Sequence, residues 1–172
     1  MNMPDGFVNG GGPDPAEGEE PMKVAVASDR NGYVMKEVIL QYLRGHGYEY
    51  EDFGCYELER CDYTVYASQV AEAVSSGAFD RGVLLDSNGC GVAMVANRYP
   101  EIWAATVDDT YSARMTRRHN NANVLCLGGR ITGPAIAVEC LKTWLETPFD
   151  GGMHIDGQNR LRRLREKYLK GE

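Results

Sequence analysis

From residue 22 onward, short apolar and β-branched runs alternate with longer stretches in which apolar residues recur every three or four positions. "KVAVAS" (23–28) has the composition of a strand and leads into Asp29 and Gly32, after which Val34, Val38, Ile39 and Leu43 follow at helical spacing. The pattern continues with "YEYEDF" (48–53) as a strand, "TVYASQVAEAV" (64–74) as a helix, "GVLLD" (82–86) as a strand and a short helix after Gly91. "WAATV" (103–107) and "NVLCLG" (123–128) complete the predicted strands, with a helix through "DTYSARMTRRHNN" between them. "PAIAVECLKTWLE" (134–146) is a final regular helix with Pro134 in its first turn.

Strands alternating with helices of about 10–15 residues imply βαβ units with right-handed crossovers. The expected class is α/β, doubly wound: a Rossmann-like three-layer sandwich with a five-stranded parallel sheet. Ligands of such sheets bind beyond the carboxyl ends of the strands, so the candidate site lies in the loops at 29–32, 55–63, 86–91, 108–109 and 128–133. The main domain is expected over 22–156. A basic amphipathic helix is expected over 157–172, with Leu161, Leu164 and Tyr168 on one face; that face should pack on the domain or on a partner subunit and leave the arginines in solvent. Residues 1–21 are rich in Gly, Pro and acid with almost nothing to bury, the composition of a disordered extension.

Charge narrows the partners. The chain of 172 residues carries a formal charge of -7, but Asp5, Asp14, Glu17, Glu19 and Glu20 supply most of it from a segment without Lys or Arg. The folded part is nearly neutral, which gives nucleic acid no basic face to bind. No apolar run approaches the roughly 20 residues of a membrane helix, and the N-terminus lacks a signal-peptide pattern. Cys55, Cys61, Cys90, Cys126 and Cys140 form no C-x-x-C pair and suit reduced thiols, so a cytoplasmic protein with neither nucleic-acid nor membrane partner is expected.

"LLDSNGCGVAM" (84–94) concentrates the candidate chemistry. Its glycines permit a tight turn and close approach of a ligand to N–H groups at a helix start. Asp86 ends a buried strand, where a carboxylate either moves protons or caps the next helix. Cys90 is either a thiol near a helix start or a small filler. His119, amid "TRRHNN", has four polar neighbours that core packing does not explain, and it could transfer protons near neutral pH. Arg130 follows "GG" at a strand end as a fork-shaped anion binder. Asp29 could accept sugar hydroxyls or cap a helix; Tyr63 and Tyr66 could line a pocket or merely pack. His46, His119 and His154 are far apart in sequence without zinc-type spacing, so no metal is expected.

In order and spacing, "VASDRNGYVMKE", "ERCDYTVYASQVAEAV", "GVLLDSNGCGVAMVANR", "TRRHNNANVLCLGGRITG" and "PFDGGMH" resemble the family of ribose-5-phosphate isomerase B and the two subunits of galactose-6-phosphate isomerase. The resemblance runs over about residues 22–160 and implies cofactor-free aldose–ketose interconversion of a phosphorylated sugar through an enediol. Ribose 5-phosphate and ribulose 5-phosphate are the default pair, with galactose 6-phosphate or a tetrose phosphate as alternatives. It also implies active sites shared across a homodimer, and leaves a tetramer open as a further assembly. By position, His119 would open the sugar ring, and the backbone N–H groups from Asn88 through Gly89 and Cys90 to Gly91, next to Ser87, would hold the enediolate. Asp29 and Asn120 would bind hydroxyls and Arg130 phosphate.

The chain also departs from the family pattern. Asp86, which resembles what the A subunit of galactose-6-phosphate isomerase shows at that position, stands where ribose-5-phosphate isomerases commonly have a cysteine base, and Val92 stands where others have a glutamate. Asp86 is therefore the expected base and Cys90 the reserve. Arg30 replaces a usual histidine, and Met153 replaces the first arginine of "GGRHxxR", leaving Arg30 and Arg160 to supply phosphate charge. Loss of both familiar bases also admits a non-catalytic subunit that binds a phosphorylated sugar.

Overall fold

A computed structural model of the chain describes residues 21–56, 58 and 61–169. The expected N-terminal extension, apart from Pro21, lies outside them. The elements are β1 (Lys23–Ser28), α1 (Tyr33–Gly45), β2 (Glu49–Asp52), α2 (Tyr63–Ser75), β3 (Arg81–Asp86), α3 (Cys90–Ala96), β4 (Ala104–Thr106), α4 (Thr110–Arg118), β5 (Val124–Gly128), α5 (Pro134–Glu146) and α6 (Met153–Leu169). The five strands are all parallel in the order β2-β1-β3-β5-β4. The winding reverses between β1 and β3, which places the expected ligand crevice at their carboxyl ends.

Strand alternation divides the core into two layers. Val24, Val26, Val83, Leu85, Leu125 and Leu127 face α1 and α5, where Ile39, Leu43, Leu141 and Trp144 are buried. The intervening Ala25, Ala27, Leu84, Val124 and Cys126 face α2 and α3. That second layer is lined by small residues, so α2 packs close: a Cβ on Gly82 would lie 2.8 Å from Val70. Continuing the alternation, Asp86 points to the α2/α3 side.

Two buried cations shape the ends of the sheet. Lys36, fully buried on α1, donates to both oxygens of Asp52 (2.8 and 2.7 Å) and to the Cys55 carbonyl (2.7 Å), fixing the start of the loop between β2 and α2. Arg117 on α4 donates to Asn121 Oδ1 (2.9 Å), Ala122 O (2.6 Å) and Thr147 O (3.3 Å), with its guanidinium 5.8 Å from the Trp144 ring. Burial pushes its pKa down to about 10.

The last helix departs from expectation. It begins at Met153, before the expected boundary at 157, and within one chain its apolar face does not pack on the domain, which leaves the partner-subunit alternative open. Arg165 reaches inward to the carbonyls of Asn97 (2.9 Å) and Ile102 (3.4 Å), and Arg162 pairs with Glu101 at 2.9 Å. Both guanidiniums lie against Trp103. Leu161, Leu164 and Tyr168 instead face solvent. The arginines find buried carbonyls and an indole here, while the apolar stripe is left outward.

Gly32 tests the packing at the crevice. A Cβ there would sit 2.5 Å from the Leu85 carbonyl oxygen, whereas one on Gly45 would meet nothing within 4 Å. Gly32→Ala should lower unfolding free energy by about 2 kcal/mol, and Gly45→Ala should leave it unchanged or raise it by up to roughly 0.5 kcal/mol. Urea midpoints at one protein concentration check this; equal midpoints would contradict the contact.

Candidate active site

Three adjacent loops, following β1, β3 and β5, are joined by their backbones. Asp29 N donates to Leu85 O (2.9 Å), Gly129 N to Asp86 O (2.8 Å) and Arg130 N to Ser87 O (3.1 Å). Such contact requires missing side chains: a Cβ on Gly128 would be 2.8 Å from Asn88 Cα, and one on Gly129 would be 2.6 Å from Asn31 O. Gly89 turns the β3 loop in the left-handed region (φ 80°) that glycine adopts readily.

Two carboxylates sit in this floor. Asp86 Oδ1 accepts from Asn88 N at 2.9 Å and from Gly89 N at a shorter distance; Oδ2 accepts only a longer bond from Val92 N, 3.2 Å. The residue is 6% exposed. Asp29 is built alike, Oδ1 accepting from Asn31 N (2.7 Å) and Gly32 N (2.9 Å) and Oδ2 from Asn31 Nδ2 (2.9 Å). Asn31, which the sequence reading passed over, also receives Arg130 Nη2 on its Oδ1 at 2.7 Å. The local signal was the "DRNG" turn, in which Asp and Asn side chains bond nearby backbone groups.

The expected amide cradle is narrower than the sequence implied. The N–H groups of Asn88 and Gly89 are spent on Asp86, and that of Cys90 donates to Asn88 Oδ1 at 3.0 Å. Gly91, second in α3, belongs to the first turn, whose amides have no intrahelical acceptor. A Cβ at Gly91 would lie 3.0 Å from Asp86 Oδ2 and 3.1 Å from the Tyr63 ring, so Gly91, Tyr63 and Oδ2 share one spot.

Cys90 faces elsewhere. It is exposed in an open hollow of about 440 Å³ lined by Ala93, Met94, Asn97, Arg98 and Thr106, with no residue from the β1 or β5 loops. Burial and the neighbouring Cys55 thiol push Cys61 up to about 11. Tyr66 packs over Gly54. Arg30, Ser87 and Asn88 lie on the crevice loops, the first and last exposed and Ser87 half-buried.

His119 and Asn120 lie at the opposite, amino edge of the sheet. They follow α4 and precede β5, separated from Gly128 by about a strand length, ~13 Å. The His119 ring stacks on His154 from the first turn of α6, centroids 4.4 Å apart and planes at 17°. Asn120 O accepts from Gln158 Nε2 at 2.7 Å. Asp150 takes a fork from Arg118, whose Nε lies 3.1 and 2.9 Å from its oxygens and whose Nη2 lies 2.9 Å away. That contact holds the Asp150 carboxyl below the usual range. Sequence reading missed this cluster because residues 119, 150 and 154 come together only where α4, the segment after α5, and α6 meet. Arg160 is exposed on α6, also away from the crevice.

Comparisons with known proteins bear on the fold and the family. Residues 24–163 match the family model described as Ribose/Galactose Isomerase. The chain is 38% identical to ribose-5-P isomerase B of Listeria innocua, covering 76% of this chain and 88% of that one. It is 35% identical to the 4-deoxy-4-sulfo-D-erythrose isomerase of a Clostridium strain, over 87% and 90% of the two chains. The solved ribose-5-phosphate isomerase B of Clostridium thermocellum superposes with a TM-score of 0.84 at 41% identity, covering 86% of this chain and 99% of that one. The doubly wound parallel sheet, the glycine-joined loops over the β1–β3 crevice and these matches together place the chain in the ribose/galactose isomerase family.

Proposed function

We propose that this chain is a cofactor-free aldose–ketose isomerase of a phosphorylated sugar, acting through an enediol in a site completed between two copies. The observation that carries it is the position of Asp86 Oδ2: one long bond from Val92 N at 3.2 Å, beside Tyr63 and Gly91, on a loop at the carboxyl end of β3. An ionised carboxylate has about four acceptor positions, so Oδ2 keeps capacity while Oδ1 anchors the loop.

In the proposed cycle His119 opens the ring. Asp86 Oδ2 takes the proton from C2 of the open aldose while O1 gains a proton, giving the enediol; the proton then returns to C1 as O2 gives up its own, giving the ketose. The Gly91 amide supports the developing oxyanion. Asp29 and Asn120 bind hydroxyls, and Arg130, Arg30 and Arg160 supply charge for phosphate. Ribose 5-phosphate and ribulose 5-phosphate are the substrate pair we assign. Cys90 stays a reserve base, disfavoured by its separate hollow.

A homodimer is part of this reading, supported by the placement of Asp29, Asp86 and Arg130 at one edge of the sheet and of His119 and Asn120 at the other. The outward apolar residues Leu161, Leu164, Tyr168 and Met94 offer surface for the second copy. No helix among the described residues is long and apolar enough to cross a membrane. The cytosol is the compartment we assign, since no disulfide is found among the described residues. A binding-only subunit is the second reading, favoured by the three backbone amides that Asp86 already serves.

Three measurements test the reading. On a panel of four-, five- and six-carbon aldose phosphates, ribose 5-phosphate should give the highest kcat/KM; turnover of none would leave the binding-only subunit. Asp86→Asn should lower kcat at least about a hundredfold with KM little changed, and unchanged turnover would remove Asp86 as base. Asp29→Asn and His119→Gln chains, each inactive alone, should recover about a quarter of full turnover when co-refolded in equal amounts, since half the dimers are mixed and each carries one intact site. No recovery would place both residues in the same chain's site.

A further inference from the structure

His119, Asp150 and His154 offer two imidazole nitrogens and a carboxylate oxygen within 4.8 Å of one another. We propose that they form a binding site for a divalent transition-metal ion, and that metal held there blocks isomerisation by occupying His119. The blocking step rests on the functional reading above; the binding step does not.

The donor set selects the ion. Nitrogen, nitrogen and oxygen suit borderline cations such as Zn²⁺ and Co²⁺, whereas Mg²⁺ and Ca²⁺ favour oxygen alone. Tetrahedral bonds of about 2.0–2.2 Å require ligand atoms roughly 3.4 Å apart, closer than the 4.8 Å bound here. His119 and Asp150 are exposed and His154 half-buried, so side-chain rotation can close the difference. The backbone already points inward: Asp150 N donates to Arg118 O (3.0 Å), and Gly151 and Gly152, both at positive φ, reverse the chain so that α6 starts with His154 over His119.

Arg118 is the built-in competitor, because its fork occupies the carboxylate that the metal needs. This gives the site a signature that a random surface histidine pair lacks: removing a cation should strengthen cation binding both by lifting repulsion and by freeing Asp150.

Co²⁺ titration followed by absorption, and Zn²⁺ competition against a chromogenic chelator, test this on the full chain. One ion per chain should bind without a thiolate-to-metal charge-transfer band. His154→Gln and Asp150→Asn should weaken binding about tenfold or more, and Arg118→Gln should tighten it. Unchanged affinity in the first two variants, or a strong thiolate band, would overturn the site. Zn²⁺ should inhibit the unaltered enzyme and do so much less in His154→Gln, each compared with its own metal-free rate. Site-dependent binding without inhibition would overturn the blocking step and count against His119 as the ring-opening group. If no sugar phosphate is turned over, the functional reading fails and the binding titrations alone still decide the metal site.

Discussion

Everything at the crevice depends on backbone touching backbone. Gly32, Gly128 and Gly129 let the loops after β1, β3 and β5 come within van der Waals contact, and the bonds Asp29 N–Leu85 O and Gly129 N–Asp86 O then fix their relative height. A single methyl group at any of the three would have to enter space held by main chain, which cannot rotate away as a side chain can. The position of Asp86 is thus a property of three loops and not of its own.

This rigidity divides the labour of one carboxylate. Charge-assisted bonds to amides are worth about 1.5–3 kcal/mol each, and Asp86 places two on Oδ1 and a longer one on Oδ2. In the proposed cycle, Asp86 protonated on Oδ2 keeps its loop anchored by Oδ1. Asp29 has the same form, with two amides on Oδ1 and the Asn31 side chain on Oδ2. Capping and chemistry, which the sequence offered as alternatives for both residues, are compatible once the two oxygens are considered separately.

The fold was legible because short apolar runs, buried on both faces in β1, β3 and β5, alternate along the chain with stretches of helical apolar spacing. The crevice loops were legible too, since Gly and Asp at strand ends are local signals, and Tyr63 and Arg130 do border the floor. What the sequence concealed is long-range. Lys36 reads as a surface helix residue until Asp52 and the Cys55 carbonyl enclose it. In "TRRHNN" the two arginines look equivalent, yet Arg117 is buried among carbonyls while Arg118 holds Asp150. The orientation of α6 depended on buried carbonyls at Asn97 and Ile102, invisible to any helical wheel.

The proposed two-copy site rests on the geometry of a parallel sheet. All five carboxyl ends lie at one edge, so a residue that precedes a strand is carried to the far edge whatever its sequence distance from the loop it serves. His119 comes nine residues before Gly128, and β5 spends five of those in extended backbone. No side-chain rotamer spans that gap, but a two-fold axis can bring the amino edge of one copy against the carboxyl edge of another. In that proposed dimer, the outward apolar stripe of α6, the helix whose first turn stacks His154 on His119, is the surface that would meet the second copy.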